Sequence, residues 1–137
     1  MDIRLVEKRL AWIEAAVESL RRLAVPDRIA TDPVQAAFVA HTLQTAIQGA
    51  IDVAAMIVGE RKLGEPDALR TLFRLLAQDG WLSAAQADVW RRIVGFRNIV
   101  VHQYLDVDPR IVRSVLETNL DDFHAFVRAV RDRLAAP

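Results

Sequence analysis

The chain has 137 residues, 53% of them hydrophobic, no cysteine, and 18 acidic residues balanced by 18 basic ones. This composition fits a single compact domain over 1–137 that can bury a core of its own, and it excludes disulfides and thiolate metal sites. A formal charge of zero argues against broad coating of nucleic acid, yet leaves room for a small catalytic pocket that handles RNA.

The N-terminal M1-D-I-R-L-V-E-K-R-L10 carries charges where a signal peptide needs an apolar block. No stretch reads as the roughly 20 apolar residues of a membrane span. The expectation is a cytoplasmic protein with no membrane partner.

The first predicted helix carries Val6, Leu10, Ile13, Val17 and Leu20, an apolar face at helical period. It stops before V25-P-D-R-I-A-T-D-P33, where two prolines discourage continuation. Asp32 followed by Pro33 reads as an N-cap with proline at the first helical position. The helix it starts runs to about Glu60. Leu43, Ile47, Ala50, Ala54 and Ile57 form its central stripe, widened by Ile51, Val53 and Val58. So wide an arc predicts contacts on more than one side, and its apolar surplus is compatible with a dimer interface.

A shorter third helix holds Leu69, Leu72, Phe73, Leu75 and Leu76 and ends near Asp79-Gly80. S83-A-A-Q86 fits a capping box, and the fourth helix follows with Val89, Trp90, Ile93, Val94 and Phe96. After the break D106-V-D-P109, a last helix places Val112, Leu116, Leu120, Phe123, Val127, Val130 and Leu134 on one face. No strand-like alternation, internal repeat or low-complexity tract is present. The pattern predicts an all-α, mostly antiparallel bundle of four to five helices.

The fourth helix runs into R97-N-I-V-V-H-Q-Y104, which holds the only tyrosine and one of three histidines. At about 100° per residue, Arg97 falls inside the apolar arc, beside Trp90, Ile93, Val100 and Val101. A guanidinium there is unfavourable unless it is paired or lines a cavity. His102 lies roughly 140° around the helix from Arg97, so one straight helix points the two apart. A helix end near His102, or a second chain bringing its own copy, would reconcile them. Asn98 and His102 share a face, and Arg91 lies close to it, a candidate contact for RNA phosphate.

Histidine moves protons near neutral pH, and arginine offers a fork of donors matched to phosphate. Together they suit RNA cleavage by 2′-hydroxyl attack on the adjacent phosphodiester. His102 would shuttle the proton and Arg97 would stabilise the charge developing on phosphate. Neither residue needs a metal, and no cofactor is implied.

Other polar features read as structural. His124 follows Asp121 and Asp122, but the spacing does not bring all three to one face, so no metal site is predicted. His41 reads as a surface or partly buried structural histidine. G59-E-R-K-L-G64 lacks the Lys-Ser/Thr and preceding strand of a phosphate loop. Trp12, Trp81 and Trp90 read as core or dimer packing.

The arrangement Arg97-Asn98-(three residues)-His102-Gln103-Tyr104 has the R-N-x-x-x-H-x-Y form of the Arg-x4-His motif. It resembles the HEPN superfamily, specifically the HepT-like ribonuclease toxins. Those proteins are all-α bundles with the motif late in the chain and one long helix after it. The segment from His41 also resembles the family's second helix, with Leu43, Gln44, Ala46, Ile47, Gln48 and Asp52 in matching places.

The resemblance implies a homodimer whose two motifs meet in a composite site, acting as a metal-independent endoribonuclease. Arg97 and His102 are then catalytic and Asn98 is a supporting polar residue. It further implies a type VII-like toxin–antitoxin pair, in which an MNT-type nucleotidyltransferase antitoxin silences the toxin by transferring AMP to Tyr104. The alternative is a non-catalytic HEPN protein that binds nucleotide or substrate beside a nucleotidyltransferase. A purely structural helical dimer, with Arg97 as a paired core cation, is the third reading.

Overall fold

The computed structural model describes residues 1–102 and 108–136, without the side chains of 99–102. Six α-helices follow one another: α1 (Ile3–Leu23), α2 (Pro33–Glu60), α3 (Leu69–Gln78), α4 (Ala84–His102), α5 (Pro109–Thr118) and α6 (Leu120–Ala135). A 3-10 turn at Pro26–Arg28 joins α1 to α2, and no strand occurs among the described residues. The all-helical reading of the sequence holds.

The helix starts follow the capping chemistry of the sequence. Asp32 accepts hydrogen bonds from the amides of Val34 (2.9 Å) and Gln35 (3.4 Å), ahead of Pro33. Asp108 accepts from the amide of Arg110 at 2.8 Å, ahead of Pro109. At α4 the box closes in both directions: the Gln86 amide donates to Ser83 Oγ (3.0 Å), and the Ser83 amide donates to Gln86 Oε1 (2.9 Å).

The segment read as one final helix is two. Asn119 sits between the two helices at φ −109° and ψ −1°, and its side-chain amide donates to Asp122 Oδ2 at 2.8 Å. Asp121 and Asp122 fill the first turn of α6, where negative charge suits the helix N-terminus. The unbroken apolar spacing from Leu116 through Leu120 to Phe123 masks this joint in the sequence, because α5 and α6 bury their faces in the same core.

α2 is the axis of the bundle. It packs against α1, α3, α4, α5 and α6. That explains its wide apolar arc, with eleven residues from Val39 to Val58 buried. By length and composition α2 could cross a membrane, contrary to the reading of the bare sequence, but 56% of its most apolar stretch is buried within the bundle. At Gly49 it meets α1 so closely that a Cβ would lie 2.9 Å from Ile13 Cγ1 and 3.7 Å from the Arg9 carbonyl. Any side chain here would force Ile13 to shift.

A second cluster fixes the other side. Phe73 of α3 stacks on Trp90 of α4 with centroids 5.1 Å apart, and Trp90 meets Phe123 of α6 edge-on at 5.1 Å. Such pairs add about 0.5–1.5 kcal/mol each beyond their burial. Trp90 and Trp81 are core residues, as read from the sequence. Trp12 is not: it is 48% exposed, with the Arg9 guanidinium 4.5 Å above its ring.

Gly49→Val tests the α1–α2 contact. Overpacking there should lower unfolding stability by about 1–3 kcal/mol, read from urea denaturation midpoints. A variant as stable as the parent would mean that the two helices separate at no cost.

Candidate active site

Trp90 sets the rotation of α4. Because it is buried against α3 and α6, positions 93, 94 and 97 turn inward with it along the same face. Ile93 and Val94 are buried. Arg97 is therefore carried to the inner side of the helix, where it is half-buried facing α2.

There it meets a polar pair. Arg97 Nη2 donates to Gln48 Oε1 at 2.9 Å, and Gln48 Nε2 donates to Asp52 Oδ1 at 2.8 Å. Gln48 and Asp52 are four apart on α2, so both face α4. The order of donors and acceptors is chemically determined. An ionised carboxylate only accepts, so Asp52 turns the Gln48 amide nitrogen toward itself and leaves the carbonyl oxygen for Arg97. A partly buried cation thus gains a neutral acceptor with a carboxylate one hydrogen bond further on. The Nε of Arg97 is also buried and has no hydrogen-bond partner among the described residues. A donor in that setting calls for an acceptor.

Asn98, the next residue, is exposed. Arg91 is exposed as well and donates to Asp88 Oδ1 at 3.0 Å. The helical backbone continues to position 102. The His102 side chain and all of Tyr104 lie outside the described residues, as does the distance between Arg97 and the His102 ring. The arginine half of the motif is thus placed, and the histidine and tyrosine half is not.

Gln48 and Asp52 are the partners that side-chain chemistry alone did not single out; the sequence reading named them only as matching positions in a resemblance. The available signal was their i, i+4 spacing within the most apolar part of α2, flanked by Ile47, Ala50, Ile51 and Val53.

The other two histidines lie on α2 and α6. His41 is exposed. His124 borders a shallow depression with Glu14 and Arg131. Arg131 of α6 donates to Glu14 at 2.8 Å and to Glu7 at 3.2 Å, both on α1, and this hydrogen bonding holds the Glu14 carboxyl below its usual range. Among the described residues no group of three or more His, Asp or Glu side chains is placed to hold a metal ion.

The fold and the placed arginine define a class: an all-helical domain that presents a guanidinium, oriented from a neighbouring helix, at the start of an Arg-x4-His motif. The family model for ribonuclease HepT-like proteins matches residues 13–130. The chain is 35% identical over 89 residues to the mRNA nuclease HepT of Shewanella oneidensis, covering 65% of this chain and 67% of that protein. It is 30% identical over 128 residues to a putative RNase of Archaeoglobus fulgidus, covering 93% of this chain and 94% of the relative. The structure also superposes on a tri-AMPylated HEPN toxin of Shewanella oneidensis, solved in complex with its MNT antitoxin. That match has a TM-score of 0.86 and 28% identity, and it covers 96% of this chain and 98% of the other. The chain belongs to the HepT-like ribonuclease family.

The Arg97–Gln48 contact can be weighed by a double-mutant cycle. Gln48→Leu alone leaves a partly buried cation without its acceptor and should destabilise by about 1–3 kcal/mol in urea denaturation. Gln48→Leu with Arg97→Leu should recover much of that stability, giving a coupling of about 0.5–3 kcal/mol. Strictly additive effects would mean that the two side chains do not act as a pair.

Proposed function

We propose that this chain is the toxin of a type VII-like toxin–antitoxin pair and acts as a metal-independent endoribonuclease. The observation that carries the reading is Arg97: a guanidinium held on the inner face of α4 by Gln48, at the head of the R-N-x-x-x-H-x-Y motif. The name mRNA nuclease on the Shewanella relative supports the same activity.

In the proposed reaction the ribose 2′-oxygen attacks the adjacent phosphorus. The O2′–P bond forms, the P–O5′ bond breaks, and a 2′,3′-cyclic phosphate and a 5′-hydroxyl result. A base removes the 2′-hydroxyl proton and an acid protonates the leaving 5′-oxygen. His102 serves these proton transfers; in a symmetric homodimer its two copies divide them. Arg97 donates to the non-bridging phosphate oxygens as charge builds on them. The hydrogen bond to Gln48 leaves other N–H groups of the guanidinium for this task. Asn98, exposed beside Arg97, is a supporting polar residue.

Silencing follows from the same electrostatics. AMP transferred to Tyr104 by an MNT-type nucleotidyltransferase adds an anionic phosphodiester two residues from His102. It occupies the place of substrate phosphate and repels RNA. The similarity to a tri-AMPylated HEPN toxin in complex with an MNT antitoxin supports this partner and this chemistry.

Purified protein should cleave RNA in the presence of EDTA. His102→Ala should slow cleavage by at least about a hundredfold while leaving the helical circular dichroism unchanged. Cleavage that requires magnesium, or that survives the substitution, would overturn the mechanism. Nucleotide binding without any cleavage would favour a non-catalytic partner of a nucleotidyltransferase instead.

A further inference from the structure

A groove with a volume of about 420 Å³ runs between α3 and α4, away from the Arg97–Gln48 contact. Arg70 and Arg74 of α3 and Arg91 of α4 rim it, above a floor that includes Ala77, Ala84 and Ala87. All three arginines are exposed. The one acidic lining residue, Asp88, is already shared by Arg91 at 3.0 Å and Arg92 at 3.6 Å. Among the described residues neither Arg70 nor Arg74 has an ion-pair partner within 4.0 Å. In a chain of zero formal charge, the three arginines outnumber Asp88 on the lining and Asp67, which lies near Arg70 and Arg74.

The register of α4 says where the groove leads. Positions 84, 87, 88 and 91 line it, and the same helical stripe continues through 95, 98 and 102. Among the described residues, a Cβ added at Gly95 would meet nothing within 4 Å between the groove and Asn98. At 1.5 Å per residue, position 91 is about 16 Å along the axis from position 102.

We propose that the α3–α4 groove is a substrate subsite that binds the phosphate backbone of single-stranded RNA flanking the scissile bond. It rests on the ribonuclease reading above and extends it. Arginine forks grip phosphate oxygens, and the alanine floor lets a strand lie close to the helices. Among the described residues no aromatic ring lines the groove, so the grip is on the backbone and does not select sequence. The continuous stripe toward position 102 favours RNA over an acidic protein segment, which would need no such path.

The test is binding of fluorescein-labelled oligouridylate to the full chain carrying His102→Ala, which removes the proposed proton shuttle and so prevents turnover. Adding Arg70→Gln and Arg74→Gln should weaken binding about tenfold or more at low salt. The slope of log affinity against log salt should fall by about 1.4, roughly 0.7 for each phosphate that the protein no longer neutralises. Each single variant should give about half that change. Unchanged affinity and slope would overturn the subsite. So would an effect confined to binding of the nucleotidyltransferase partner, which would make the groove a protein dock. Binding is read without cleavage, so a native chain that fails to cut RNA would overturn the function while this measurement still reports on the groove.

Discussion

A cation on the inner side of a helix is the constraint around which this domain is arranged. Arg97 cannot be left among apolar side chains without an acceptor, and the acceptor comes from a different helix. Gln48 provides it only because α2 lies close to α4 and because Asp52 turns the glutamine amide the right way round. Each of these conditions has its own support. The Phe73–Trp90–Phe123 contacts fix the rotation of α4, and the close approach at Gly49 seats α2 against α1. Core packing and the orientation of the candidate catalytic group are therefore one problem.

The same constraint shapes the chemistry. A guanidinium tethered by a neutral amide keeps its full charge and several donors, whereas a direct carboxylate partner would satisfy it and compete with phosphate. Placing the carboxylate one hydrogen bond away balances the charge without occupying the fork. The helical offset between positions 97 and 102 then becomes informative. Two groups turned to different sides of one helix serve one phosphate only if the chain bends there or a second protomer contributes, and the homodimer in the proposed function supplies the second.

Much of the fold was legible because several levels of the sequence agreed. The apolar stripes, the Asp32-Pro33 and Asp108-Pro109 starts and the S83-A-A-Q86 box all pointed to helices that the structure contains. The joint at Asn119 was not legible, since apolar spacing continues across it and only T118-N-L-D-D122 hints at a fresh helix start. Of the three tryptophans, Trp81 and Trp90 are in the core, whereas Trp12 is on the surface of the single chain beneath Arg9. In the site, Arg97 stood out as a violation of its own helix pattern. Its partners did not, because pairing across forty-nine residues is a property of tertiary packing that helical period cannot encode. The groove was hidden for the same reason: nothing in helical period brings Arg70 and Arg74 of α3 beside Arg91 of α4.

The most direct measurement is the chemistry of the cut ends. RNA cleaved in EDTA and examined by mass spectrometry should carry 2′,3′-cyclic phosphate on one fragment and 5′-hydroxyl on the other, because the ribose oxygen itself is the nucleophile. Fragments ending in 3′-hydroxyl and 5′-phosphate would mean that water attacks instead, and the roles given to Arg97 and His102 would not stand.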